Sequence, residues 1–380
     1  MASIDDYRKK IDEIDHDIVT RLEERMRTVE QIAKFKQENE LPVYDAMRER
    51  EKLDSITNMV SEDMASYSRI LYNTIMEVSK DHQRKITQQD TECVKAIKKA
   101  LEDTPKVFPA RASVACQGVT GAYSQEACEK LFSMPQIFFL KNFSGVFAAV
   151  DSGLCQYGIL PLENSTAGSV NQIYDLMMKH NFYIVKSVRL KINHCLMAKK
   201  GVRKEDIKEI VSHEQAIMQC DDYLKNFPHA KITVFENTAQ AAKYVAESDR
   251  TDVAALASQN CTDLYNLECI ADNVQDNLNN YTRFICISKK LEIFPGANRT
   301  SLMLVTKHKP GSLYNVLSRF NALGINLVKL ESRPIPERDF DYMFYFDITS
   351  EVYSDEFIRL MNQLDDLTEE CTYLGSYTEI

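Results

Sequence analysis

The chain has 380 residues, 44% hydrophobic and 27% charged, with a formal net charge of -10. That length suits two or three domains, and an acidic excess without any Lys/Arg-rich block argues against a nucleic-acid partner. Ten cysteines and seven histidines fall in no ligand-spaced pattern, so neither a metal site nor a disulfide framework is expected. No membrane contact is expected either, since no run nears the roughly 18 apolar residues of a span and the first residues hold no apolar signal core. A cytoplasmic protein with reduced thiols fits these features.

Residues 5–37 predict one helix about 50 Å long at 1.5 Å per residue. At about 100° per residue, Ile4, Ile11, Ile14, Ile18, Leu22, Val29 and Ile32 share one arc, and Arg8, Arg25 and Lys36 fall on or beside it. An unpaired buried charge costs several kcal/mol, so three cations on an apolar face point to a small polyanionic ligand. Two more helices are predicted over 45–61 and 65–87. The first of these opens with Asp45, Arg48 and Glu49, and the other carries Ser79 and Gln83 four apart on the face of Tyr72, Ile75, Met76 and Ile86. The oversized first helix cannot bury its stripe in one copy of such a unit, which predicts an intertwined all-helical dimer over residues 1–90. Residues 91–110 lose strong periodicity, end in Pro105 and Pro109, and read as a linker.

From residue 112 short β runs alternate with helices. Strands are expected at 113–116, 137–140, 157–160, 191–198, 210–212, 232–235, 252–257 and 283–288. Helices are expected at 124–132, 144–152 and 215–225, then up to 247 and up to 265. This alternation predicts parallel α/β sheets in two lobes over 111–290, with ligand at the carboxyl ends of the strands. Three motifs stand at strand ends: Gly118-Val119-Thr120-Gly121-Ala122-Tyr123-Ser124, Pro161-Leu162-Glu163-Asn164-Ser165-Thr166-Ala167-Gly168 and Asn280-Tyr281-Thr282-Arg283-Phe284. Residues 298–380 then give strand, helix, two strands, helix and strand, a ferredoxin-like βαββαβ unit whose exposed edges favour pairing with another copy.

The set Arg8, Arg25, Lys36, Asp45, Arg48, Glu49, Ser79 and Gln83 resembles that of the all-helical chorismate mutases. The resemblance implies rearrangement of chorismate to prephenate with no nucleophile and no cofactor. Arg25 and Arg8 of the partner subunit would pair the two carboxylates, Lys36 and Gln83 would reach the ether oxygen, and Glu49 would hold the ring hydroxyl. Arg48 and Ser79 would line the pocket and Asp45 would help orient it.

The middle motifs, with Ser212-His213-Glu214-Gln215-Ala216, resemble prephenate dehydratase, a two-lobed, periplasmic-binding-protein-like fold. By that resemblance Thr282 assists the departing hydroxide, by hydrogen bond or proton transfer, and Arg283 clamps a carboxylate. Asn164, Ser165, Thr166 and Phe284 contact prephenate, Ser124 and Gln215 are secondary candidates, and His213 is read as structural. The last unit resembles an ACT regulatory domain. Gly311-Ser312-Leu313-Tyr314 and Glu331-Ser332-Arg333-Pro334 stand where that family binds phenylalanine, although the first departs from the usual Gly-Ala-Leu-Val. Taken together, the resemblances imply a multidomain bifunctional enzyme that turns chorismate into phenylpyruvate under phenylalanine feedback, as a homodimer or homotetramer. An arogenate dehydratase and a non-catalytic amino-acid-sensing protein are the rivals. The unbroken mutase set and Thr282 count against the sensor.

Overall fold

The structure, a computed structural model, describes residues 3–39, 41, 45–87, 90–336, 338 and 341–380. They form two compact units, Met1–Thr91 and Glu92–Ile380. No helix among the described residues is long and apolar enough to cross a membrane.

The first unit is helical. Its long helix α1 (Ile4–Glu38) starts in a capping box, Ser3 accepting from the Asp6 N–H while the Asp6 carboxylate takes the Ser3 N–H. Helices α2 (Ala46–Thr57) and α3 (Ala65–Thr87) follow. Arg25 bonds Ser79 and Glu30 bonds His82, so α1 and α3 run in the same direction. Only the second half of α1 is covered. Val29 and Ala33 are buried, whereas Ile4, Ile11, Ile14 and Ile18 stay 48% to 64% exposed. Each such isoleucine forgoes part of the roughly 1.5–3 kcal/mol that full burial gives.

The second unit begins with a departure from expectation. Where a linker was read, helix α4 (Glu92–Asp103) forms and buries Val94, Ile97 and Ala100 in one core with Leu304, Phe357 and Leu360. The lysines at 95, 98 and 99 mask that spacing-by-three stripe in the sequence.

The first lobe comprises β1 (Ser113–Gln117), α5 (Tyr123–Leu131), β2 (Gln136–Leu140), α6 (Phe143–Asp151), β3 (Tyr157–Asn164), β4 (Gly168–Ser169), α7 (Asn171–Met177) and β5 (Tyr183–Lys191). The second comprises β6 (His194–Ala198), β7 (Glu209–His213), α8 (Glu214–Met218), α9 (Asp221–Leu224), β8 (Lys231–Phe235), α10 (Thr238–Glu247), β9 (Val253–Ser258), α11 (Asn260–Leu264) and β10 (Glu268–Ala271). Strand β11 (Tyr281–Ser288) then returns to the first lobe, giving sheet orders β2-β1-β3-β11-β5 and β10-β6-β9-β7-β8.

The sheets are mixed, not parallel: β11 opposes β3 and β5, and β6 opposes β9 and β10. The crossing between lobes explains the first of these reversals. The chain leaves the first lobe by β5 at its cleft end and must re-enter there as β11, so the two run oppositely. The single strand expected over 191–198 is accordingly two, the end of β5 and all of β6.

The third part matches the expected order: β12 (Arg299–Thr306), α12 (Ser312–Ala322), β13 (Asn326–Pro334), β14 (Tyr342–Thr349), α13 (Asp355–Leu367) and β15 (Thr368–Tyr377), with sheet order β13-β14-β12-β15. One face of this sheet carries the helices. The other packs on the first lobe, where Met303, Tyr345 and Tyr377 share a core with Leu160, Tyr174 and Ile285. Gly375 lies at φ +133, and a Cβ there would stand 2.3 Å from the Ile184 carbonyl oxygen, so the two backbones touch. Beyond β15 the chain pairs with β5: Ser187 N–H donates to Thr378 O (3.1 Å), Ile380 N–H to Ser187 O (3.0 Å) and Arg189 N–H to Ile380 O (2.8 Å).

Candidate functional site

In the helical unit, Arg25 reaches across from α1 to the buried Ser79 of α3. One turn on from Ser79, Gln83 is also buried, and its Oε1 has no hydrogen-bond partner among the described residues. A buried amide oxygen left open costs about 1–3 kcal/mol, a cost that a bound ligand or water removes. Partial burial lowers the Arg25 pKa, with Tyr72 opposing. Glu49 of α2 pairs with Lys80 of α3 at 2.9 Å, and Lys80 also pairs Glu77 at 2.6 Å.

Other members of the expected set stand elsewhere. Lys36 is partly buried in the last turn of α1. Asp45 is the N-cap of α2, its Oδ1 accepting from the N–H groups of Met47 (3.1 Å) and Arg48 (3.0 Å), so helix capping accounts for that carboxylate. Arg48 points outward, 73% exposed, toward Glu51. Arg8 is 71% exposed beside Asp5, about 26 Å along the helix axis from Arg25 at 1.5 Å per residue. One chain therefore does not bring Arg8 to Arg25.

In the second unit a cavity of about 400 Å³ opens between the two lobes. The starts of α5, α6 and α10 line it through Tyr123 and Ser124, Asn142 and Phe143, and Asn237 and Thr238. Asn142 caps α6 and Asn237 caps α10, whereas α5 has no side-chain cap, so its first N–H groups are available to an anion. Among the described lining residues, Lys141 is the one permanent cation and Glu236 the one carboxylate.

On the wall, Thr282 of β11 sits in register with Asn164 of β3. Asn164 Nδ2 donates to Thr282 Oγ1 at 3.0 Å and to Asn280 Oδ1 at 2.6 Å, and its Oδ1 accepts from the N–H groups of Thr166 and Ala167 at 2.9 and 2.8 Å. The Thr282 oxygen is thus an acceptor to Asn164, which leaves its proton to be donated elsewhere. Behind this pair the network continues. Gln219 Oε1 meets Asn280 Nδ2 at 2.9 Å and His194 Nε2 at 3.1 Å, while Tyr123 donates to the Asn193 carbonyl at 2.6 Å, beside His194. Since Gln219 Oε1 only accepts, His194 Nε2 carries a proton. Burial lowers the His194 pKa, with the Gln219 bond opposing, and burial pushes the Tyr123 hydroxyl well up.

Sequence reasoning missed His194 and Gln219, and gave Asn280, the first residue of its third motif, no role. The one visible signal is Asn193-His194, a polar break inside an apolar run. It also left Tyr123, Lys141 and Glu236 unassigned.

Thr282 and Phe284 face the cavity, as do Ser124 and Gln215. His213, read as structural, lines the cavity as well and caps α8, its Nδ1 accepting from the Gln215 N–H. Ser165 does not line it: it ties β3 to β11 by accepting from the Tyr281 N–H and donating to the Asn279 carbonyl. Thr166 lines an adjoining recess with Gln219 and Asn280.

Arg283 corrects the sequence reading. Successive strand residues face opposite sides, so Arg283 turns away from the cavity to which Thr282 and Phe284 belong. It is 3% exposed and pairs with Asp347 of β14 and, at 2.7 Å, with Glu163. These carboxylates hold the guanidinium pKa up against burial. A cation so neutralised is not free to clamp a substrate carboxylate.

In the βαββαβ part, Gly311, Ser312, Leu313 and Tyr314 line a recess with Asp341, Tyr342 and Phe344. The second motif is split by strand alternation. Ser332 and Pro334 are in register with Phe344 and Tyr342, whereas Glu331 bonds Ser169 and Arg333 clasps Asp175 at 2.9 and 3.0 Å, both in the first lobe.

Comparison with known proteins now bears on this geometry. The family models "Prephenate dehydratase" and "Chorismate mutase type II" match residues 114–292 and 7–84. "Arogenate dehydratase/prephenate dehydratase 2, chloroplastic" of Arabidopsis thaliana is 35% identical over 74% of this chain and 80% of its own length. The chain belongs to the prephenate dehydratase family. A relative spanning both regions, "Bifunctional chorismate mutase/prephenate dehydratase" of Enterobacter agglomerans, is 29% identical over 97% of this chain and 94% of its own. The crystal structure of prephenate dehydratase from Arthrobacter aurescens in complex with L-Phe aligns at TM-score 0.65 and 25% identity over 70% of this chain and 89% of that one. This family member thus carries a chorismate mutase region ahead of its prephenate dehydratase region and is an enzyme of both activities.

Proposed function

We propose that the two activities act in series, chorismate to prephenate in the helical unit and prephenate to phenylpyruvate in the cleft. We further propose that phenylalanine is sensed by the βαββαβ part as an ACT domain. The first step is pericyclic, so the protein need only hold the reactive conformer and stabilise the charge that separates as the ether bond breaks. Arg25 pairs one carboxylate, Lys36 and Gln83 donate to the ether oxygen, and Glu49 accepts the ring hydroxyl. Arg8 of the partner subunit pairs the other carboxylate. The 26 Å estimate and the bare isoleucines of the first half of α1 both support an intertwined dimer in which each site borrows from both chains. Ser79 lines the site, with Asp45 fixing the start of α2 and Arg48 left outside it beside Glu51.

In the cleft, the C–O bond to the ring hydroxyl breaks as the ring carboxylate leaves as carbon dioxide, and the electron pair of that C–C bond enters the ring. The Thr282 hydroxyl donates to the departing oxygen, which leaves as water once a solvent proton is added. The uncapped start of α5 together with Lys141 meets the dianion. The observation that carries this reading is the Asn164-to-Thr282 hydrogen bond at 3.0 Å, which turns the threonine proton away from Asn164.

A second substrate, arogenate, is favoured by Glu236 on the cavity wall, a carboxylate able to pair its ammonium. Arogenate dehydratases of Arabidopsis thaliana and Petunia hybrida among its relatives point the same way. Feeding purified protein chorismate and following phenylpyruvate, then comparing kcat/KM for prephenate and arogenate, tests the reading. No phenylpyruvate from chorismate refutes it. Cysteines that are all unpaired support a cytoplasmic setting.

A further inference from the structure

Strand β13 works on two sides. Ser332 and Pro334 share a face with Tyr342 and Phe344 of the recess, by register. Lys329, Glu331 and Arg333, on the alternate positions, turn to the first lobe and are all partly buried.

There they enter a chain of charges that ends beside Thr282. Glu331 accepts a hydrogen bond from the Ser169 hydroxyl, and Lys329 Nζ donates to Ser169 Oγ at 2.8 Å and to Glu163 Oε2 at 2.6 Å. The other oxygen of Glu163 meets Arg283 Nε at 2.7 Å. Glu163 also sits directly before Asn164, the residue that orients Thr282, and Arg283 directly follows Thr282. We propose that Lys329 and Glu163 are positioning residues that convey occupancy of the recess to Thr282, through β13 on one side and the Glu163–Arg283 pair on the other.

The physical basis is that Glu163 is shared. A ligand that draws β13 toward the recess lengthens the Lys329–Glu163 contact, and Glu163 then re-pairs within the Arg283 site, shifting the β3–β11 register at Asn164 and Thr282. A register irregularity already lies between Arg283 and Phe284, so this end of the ladder has slack that a regular one lacks. The inference rests on the phenylalanine reading above and adds the route.

The test uses the full chain with L-phenylalanine, measuring binding by calorimetry, dehydratase inhibition and mutase turnover on each variant. For Lys329→Met and Glu163→Gln, phenylalanine should bind within about threefold of the parent. Its inhibition, an effect of about 5- to 150-fold in coupled sites, should shrink below about twofold, with mutase turnover unchanged. Lys329→Arg, which keeps the charge, should retain inhibition, and this second variant holds the proposal to account if Lys329→Met loses its dehydratase fold. Parental inhibition in both Lys329→Met and Glu163→Gln overturns the relay, and so does loss of phenylalanine binding, which would make these residues part of the ligand site. A parent protein that ignores phenylalanine refutes the effector reading itself, a distinct failure.

Discussion

Replacing Thr282 by Val removes one hydroxyl and almost nothing else. Asn164 Nδ2 loses its 3.0 Å acceptor but keeps Asn280 at 2.6 Å, and the vacated position opens on a cavity that water can enter. The folding cost should therefore be about 1 kcal/mol, or a melting shift of about 2–4 °C for a unit of this size. Catalysis should suffer more. A single donor aimed at an oxygen that gains charge in the transition state is worth about 10²- to 10³-fold, or 2.7–4 kcal/mol. In a continuous assay of phenylpyruvate from prephenate, Thr282→Val should lose that factor in kcat, with mutase turnover unaltered as the internal control. Thr282→Ser, which restores a donor on a less constrained side chain, should recover most of it. A Thr282→Val enzyme within tenfold of the parent would refute the reasoning, because no other hydroxyl stands in that register position.

Three further outcomes are expected. Arg8→Ala and Lys36→Ala proteins, each nearly devoid of mutase activity alone, should regain about a quarter of the parental rate when unfolded together and refolded, since half of the dimers are hybrids with one intact site; no regain on mixing means that the sites are not shared. Burial holds the His194 pKa below its ordinary value, so the unfolded chain binds more protons in that window and stability falls as pH drops below about 6.5; thermal melts between pH 7.5 and 5.5 should show this loss, and a His194→Gln protein should show less of it. Gly375→Ala should separate the C-terminal sheet from the first lobe, because the new Cβ would meet the Ile184 carbonyl oxygen at 2.3 Å; limited proteolysis should cut the variant faster between the two, and equal rates would contradict that contact.

Much of the fold was legible because apolar runs of β-branched residues alternate with capped helices, and the βαββαβ order emerged element by element. What escaped has identifiable causes. Strand direction is not written in a strand's own composition, so the antiparallel return of β11 needed the tertiary path. The stripe of α4 is three residues wide and set among lysines, so it reads as solvated chain. The mutase set was legible by residue type, yet Asp45 and Arg48 show that type alone does not separate a cap or an outward charge from a ligand contact. Arg283 is the instructive case, since strand alternation applied to Thr282-Arg283-Phe284 already assigns the middle residue to the opposite face. His194 and Gln219 were out of reach because their significance arises only when β6 and α8 are brought beside β11.

The first lobe is built from stretches far apart in the chain: 113–191, then 281–288 after the whole second lobe, and last 378–380 along the edge of β5. A ribosome making this protein releases the inserted lobe while β3 and β5 of its host still lack β11, the strand that joins them. Closure has to wait for residues 281–288 and 378–380, and pairings of such long sequence separation form slowly. Newly made chains should thus lean on holdase chaperones until residues 378–380 emerge.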